Sequence, residues 1–207
     1  MRNSFSLILA LILLCGQAKS QTTVDGGEVS GTWTAAGSPY QVNGEINIPS
    51  GQMLSIEAGV RVHFQGHHRF FVYGTLMAMG TVTDSIYFTV DNNTVEWCGI
   101  EFSNPASRVP RSLMEYCVIE HSYAHSPPEE RYITNYDIGG GIMAESGNLT
   151  IRNCAIRNNK ALIGGGIKCG NTIVIENTSF TNNEALQKDV VFVDNGGKMS
   201  GCLIAGN

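Results

Sequence analysis

The sequence predicts an all-β fold: a right-handed parallel β-helix whose three-strand coils repeat about every 24 residues. Three observations carry this expectation. A nine-residue motif over 151–159, with Ile151, Cys154, Ile156 and Asn159, recurs 24 residues on over 175–183 and again over 199–207. A second motif, Gly141-Ile142-Met143-Ala144, recurs at nearly the same spacing as Gly166-Ile167-Lys168-Cys169 and Val190-Val191-Phe192-Val193. Within each copy apolar and polar residues alternate, the period-two signature of a strand. No single coil can bury its apolar face alone. Stacked coils, each strand pairing with its counterpart roughly 4.8 Å along the axis, supply the core.

Taken in order, residues 1–20 read as a signal peptide. Arg2 gives the positive start, Phe5 to Cys15 the apolar run, and Ala18-Lys19-Ser20 a small-x-small cleavage site. That run, about 11 residues, falls short of the roughly 20 needed to span a bilayer. Residues 21–45 read as an N-terminal cap region. Residues 46–207 read as the β-helix, open or truncated at its C-terminal end. Its first coils carry Leu54-Ser55-Ile56, Val60-Arg61-Val62-His63-Phe64, Leu76-Met77-Ala78 and Ile86-Tyr87-Phe88, separated by turn signals such as Glu57-Ala58-Gly59. The copy at 114–122 precedes the next by 37 residues, so an insertion separates them.

Composition narrows the function classes. Hydrophobic residues are 43% and charged residues 15%, enough apolar material for a core and too little charge for a disordered chain. The formal charge is −5 and no basic patch is evident, so no nucleic acid partner is expected. No second long apolar run appears, so no transmembrane segment is expected. The chain reads as secreted, or attached to the outer cell surface.

Ile48-Pro49-Ser50-Gly51, Glu57-Ala58-Gly59-Val60, Gly74-Thr75-Leu76-Met77-Ala78-Met79-Gly80 and Asp84-Ser85-Ile86-Tyr87-Phe88-Thr89 resemble the opening coils of secreted right-handed parallel β-helix proteins of Bacteroidetes, of the pectin-lyase-like superfamily. The later Gly-Gly-Gly-Ile and Phe180-Thr181-Asn182-Asn183 repeats are also similar to those of chlamydial polymorphic membrane proteins. The resemblance implies a fold rather than an activity, because this fold hosts lyases, hydrolases, adhesins and binding modules.

Aligning the copies turns the sequence into columns. Cys117, Cys154, Thr178 and Cys202 form an inward column, read as structural thiols; Cys154 and Cys202, two coils apart, are too distant for a disulfide. Ser122, Asn159, Asn183 and Asn207 form a turn column, read as an asparagine ladder. Glu115, Arg152, Glu176 and Ser200 face outward, so Arg152 sits between two acids and reads as a plain cation. Glu101, Met143, Lys168 and Phe192 form a third column, also read as outward. A calcium-dependent lyase face needs converging carboxylates; none of these columns offers them.

Function on a repetitive stack sits on the loops that break the repeat. Ser103 to Ser112 is one such loop and Tyr123 to Ile138 the other. Tyr123, His125, Glu129, Glu130, Arg131, Tyr132 and Tyr136 are the candidate ligand-binding residues: tyrosines for stacking, acids and a base for hydroxyl groups. His67-His68-Arg69 reads as a surface turn. No metal-ligand spacing and no cofactor motif appears. The expected function is a non-catalytic surface module, glycan-binding or adhesin-like, with a polysaccharide or surface glycan as partner and self-association through the open C-terminal coil. The alternative is a polysaccharide lyase or glycoside hydrolase, for which Ca2+ would be the cofactor.

Overall fold

The computed structural model describes residues 21–91, 96–103, 110–126, 134–145, 148–170, 172–194 and 196–207. The signal-peptide reading of residues 1–20 and four candidate site residues, Glu129, Glu130, Arg131 and Tyr132, lie outside the described residues.

The protein is all-β, and every strand pairing among the described residues is parallel, consistent with a parallel β-helix. The first sheet has eight strands: Thr22–Val24, Tyr40–Val42, Arg61–Phe64, Ile86–Val90, Cys117–Glu120, Ala155–Arg157, Ser179–Thr181 and Leu203–Ala205. The second has seven, including Ile46–Ile48, Phe70–Val72, Ile100–Phe102, Ile142–Ala144, Ile167–Cys169 and Val191–Val193. The third also has seven, including Met53–Ile56, Thr75–Met79, Ser112–Glu115, Leu149–Arg152, Val174–Glu176 and Lys198–Ser200. The chain visits the three sheets in turn and then starts the next layer. A small sheet, Tyr123–Ala124, Lys160–Ala161 and Glu184–Ala185, fills the widened corner of the later layers.

Register follows the sequence repeat. Ile151 pairs with Ile175, and Ile175 with Met199. Alternation sends one side chain in two toward the axis, so pairing stacks like on like. Val62, Phe88, Ile119, Ile156 and Phe180 form one inward column, and Ile46, Phe70, Ile100, Ile142 and Ile167 another. All ten are essentially inaccessible, each contributing roughly 1.5–3 kcal/mol of transfer free energy. Residues 21–45, read from the sequence as a cap region, contribute strands that pair in register with the next layer: Thr22 with Tyr40, Gly27 with Ile46, Gly31 with Leu54. They supply the first layer of all three sheets.

The repeated glycines mark the corner before the second sheet. Gly139 and Gly164 have φ of 65° and 66°, a region that suits glycine. A side chain at Gly165 would collide with the Glu184 carbonyl oxygen of the next layer.

Candidate functional site

The corner between the first and second sheets is where layers differ most. Among the described residues it includes 43–45 in one layer, 65–69 in the next, then 91 and 96–99, and 121–126 with 134–141. Side chains from several layers therefore converge there.

Its centre is a buried ion pair that the sequence did not announce. Arg69 is only 1% exposed, and its Nη1 donates to Glu101 Oε2 at 3.0 Å and to the Asn135 carbonyl at 2.7 Å. Glu101 is 6% exposed and also accepts from the Ser103 hydroxyl at 3.1 Å. Against this pair lies the 3-10 turn Asn135–Asp137, begun by a capping box between Thr134 and Asp137. Asp137 also accepts from the Ser126 amide and hydroxyl at 2.8 and 2.7 Å. This corrects the reading of Glu101 and Met143 as solvent-facing: both are buried. It also corrects the surface-turn reading of Arg69. Breaking one partner of such a pair costs about 3–5 kcal/mol, because the other charge stays buried.

Beside the pair lies an aromatic face. Phe71 pairs in register with Glu101, and its ring is stacked with that of Tyr73 at 5.8 Å and 7°. Tyr73 is 41% exposed. Burial, then the charges of Glu101 and Glu45, raise its phenol above the ordinary value. The Tyr136 hydroxyl donates to Glu45 Oε1 at 2.8 Å, and the Arg69 guanidinium lies 5.0 Å from the Tyr136 ring. Burial first, and then Glu45, push the Tyr136 phenol up to about 12. It therefore stays protonated and donates. Glu45 and Glu101 thus lie near the Tyr73 phenol, and Tyr136 is tied to Glu45.

Tyr123 and His125 go elsewhere. The His125 ring lies 4.1 Å from His67 and 4.5 Å from Tyr123, and its Nε2 is 3.4 Å from Glu96. His67 Nε2 lies 3.1 Å from Cys98 Sγ. This cysteine–histidine contact is not an activated nucleophile. Burial pushes the Cys98 thiol up to about 12, and burial together with His125 lowers His67 below the usual histidine value. A neutral thiol beside a neutral imidazole is a poor thiolate source. Among the described residues no group of three or more His, Cys, Asp and Glu converges to hold a metal.

The columns have internal partners. The Cys117 amide donates to Cys154 Sγ at 3.3 Å, and the Cys154 amide to Thr178 Oγ1 at 3.4 Å. Cys117 and Cys154 are buried and Cys202 is half-exposed; all three are free thiols. The Asn159 amide and side chain both donate to Asn183 Oδ1, at 3.1 and 3.0 Å, and those of Asn183 to Asn207 Oδ1, at 2.7 and 3.3 Å. Arg152 is engaged with Glu115 through two contacts of 2.8 and 2.9 Å. The hydrogen bond to Glu115 and its charge raise the guanidinium value further, the opposite of what a base requires.

Of the seven candidate residues from the sequence, the described ones are Tyr123, His125 and Tyr136, and they divide between the histidine cluster and the Arg69 site. Sequence reasoning missed Arg69, Glu101, Glu45, Phe71 and Tyr73. A usable signal was present: Phe71 and Glu101 fall in one column in adjacent layers, two residues from Tyr73 and Ser103. The chain matches no family model, no curated protein and no solved structure.

Proposed function

We propose that this chain is a secreted, non-catalytic glycan-binding module on a right-handed β-helix of the pectin-lyase-like kind. The observation that carries the reading is the stacked Phe71–Tyr73 pair flanked by Glu45 and Glu101. A flat apolar face suits the C–H face of a sugar ring, while the exposed Glu45 carboxylate accepts from its hydroxyls. Rigid aromatics and a pre-fixed polar rim lower the ordering cost of binding. The apolar run after Arg2 supports export. Binding is favoured over catalysis because Glu101 is committed to Arg69 and Ser103, and Glu45 to Tyr136.

Titration of residues 21–207 with cell-wall and surface oligosaccharides tests this. At least one is expected to bind, and Tyr73→Ala to weaken it about tenfold or more while the melting temperature holds. Binding unchanged in Tyr73→Ala, or release of cleaved sugar during the titration, would contradict the reading.

A further inference from the structure

At the N-terminal end of the same corner lies a second concavity, built from different residues. Two rows of polar side chains cross three layers there. Thr23, Gln41 and His63 are paired in register on the first sheet. Asn43 and Gln65 follow just beyond the strand ends, their amides donating to the carbonyls of Val24 and Val42, both at 2.9 Å. Asp91 follows Val90, which pairs with Phe64. Gln21, Thr23, Gln41, Asn43, Gln65 and Asp91 line an opening of about 260 Å3. That is below the roughly 300–1,000 Å3 of pockets for drug-sized ligands, so it suits one small ring.

Its polar groups are pre-ordered. Gln65 Nε2 donates to Asp91 Oδ2 at 3.0 Å and contacts Gln41 Oε1 and the His63 carbonyl. Asp91 is also paired with His63 Nδ1. Asn43 Nδ2 donates to Asp25 Oδ1 at 3.3 Å. These bonds fix the side chains yet leave Gln65 Oε1, Asn43 Oδ1 and the Thr23 hydroxyl with no partner among the described residues. The set offers acceptors from two amides and a hydroxyl that both donates and accepts, on a repeat of roughly 4.8 Å from layer to layer. Vicinal hydroxyls, each a donor and an acceptor, match it.

Charge narrows the ligand further. Among the described residues no Lys or Arg lines the opening, so an anionic sugar would meet Asp91 without a free cation. A divalent cation is also mismatched: Ca2+ takes six to eight oxygens, commonly from carboxylates as well as carbonyls, and Asp91, the one carboxylate among the described lining residues, is already paired with His63. We infer that this concavity is a second carbohydrate subsite that takes a single neutral, uncharged sugar residue and excludes uronic acids. The inference does not depend on the Phe71–Tyr73 reading.

The test is calorimetric titration of residues 21–207 with lactose, maltose, cellobiose, digalacturonate and CaCl2, in wild type, Gln65→Ala, Asn43→Ala and Tyr73→Ala. The expected result is binding of at least one neutral disaccharide in the range of about 1 mM. Gln65→Ala and Asn43→Ala should each weaken it about tenfold and Tyr73→Ala less than about twofold. Digalacturonate should bind no better to wild type than to Gln65→Ala. Asn43 and Gln65 are exposed, and unchanged melting curves would show that both variants fold. The inference is overturned if no neutral disaccharide binds at about 10 mM, if binding survives both substitutions, or if CaCl2 alone binds and loses its site in Gln65→Ala. Loss of all sugar binding in Tyr73→Ala, with Gln65→Ala unaffected, would remove this subsite and leave the aromatic face standing.

Discussion

Asp137 shows how a single residue holds the cover over the corner. Burial pushes its carboxyl up, but hydrogen bonds from the Thr134 amide and from the hydroxyl and amide of Ser126 outweigh burial and hold it below the ordinary value. Its folded-state value is therefore lower than the unfolded one, about 3.9. The stability it contributes is fully present above that pH and is lost as pH falls through the folded value. Asp137→Asn is expected to cost about 1–3 kcal/mol at neutral pH. The gap from wild type should narrow at an acid pH below the unfolded value. Urea denaturation at the two pH values checks this; an equal gap at both would mean that the carboxylate charge is not what holds Ser126 and Thr134.

At the scale of elements, the turn ladder does for the corners what the inward columns do for the sheets. Asn183 Oδ1 receives the Asn159 amide, and its Nδ2 caps the Ile156 carbonyl at 2.9 Å. Asn183→Ala orphans both buried backbone groups and is expected to cost about 2–4 kcal/mol. Thr181→Ala, on the outward face of the preceding strand, should stay within about 0.5 kcal/mol. Comparable midpoints for the two variants in urea would show that the ladder is incidental. Next to this ladder run Asn158 and Asn182, and at the corner before the same strands run Asn153 and Asn177, all with φ near +50°. Asparagine tolerates that region better than most residues. In the earlier layer Tyr116 and His121 hold the same conformation, with φ of 48° and 59°.

These columns were legible because each layer repeats them at one spacing. Ile151, Ile175 and Met199 announce their pairing without any structure. The Arg69 site was not legible for the converse reason. Arg69 and Glu101 lie 32 residues apart, and their cover comes from an insertion that breaks the period. Alternation marks Glu101 as outward, and outward on a strand normally means solvent. In the folded chain Glu101 is buried against Arg69, whose guanidinium also meets the Asn135 carbonyl, and no periodicity encodes where an insertion lands.

At the scale of the whole molecule, both proposed sugar contacts depend on register. Phe71 lies beside Glu101, and Gln41 beside His63, only because every layer pairs in parallel with the next. A slip of one residue would turn each outward side chain inward and dissolve both surfaces. Register is thus the central claim, and the most direct measurement is the set of cross-strand backbone NOEs in isotopically labelled residues 21–207. Parallel pairing predicts contacts linking Thr150 with Val174, Ile151 with Ile175 and Arg152 with Glu176, continued from Ile175 to Met199. Close Hα–Hα contacts of an antiparallel ladder, or parallel contacts joining Ile151 to Glu176 instead, would contradict it.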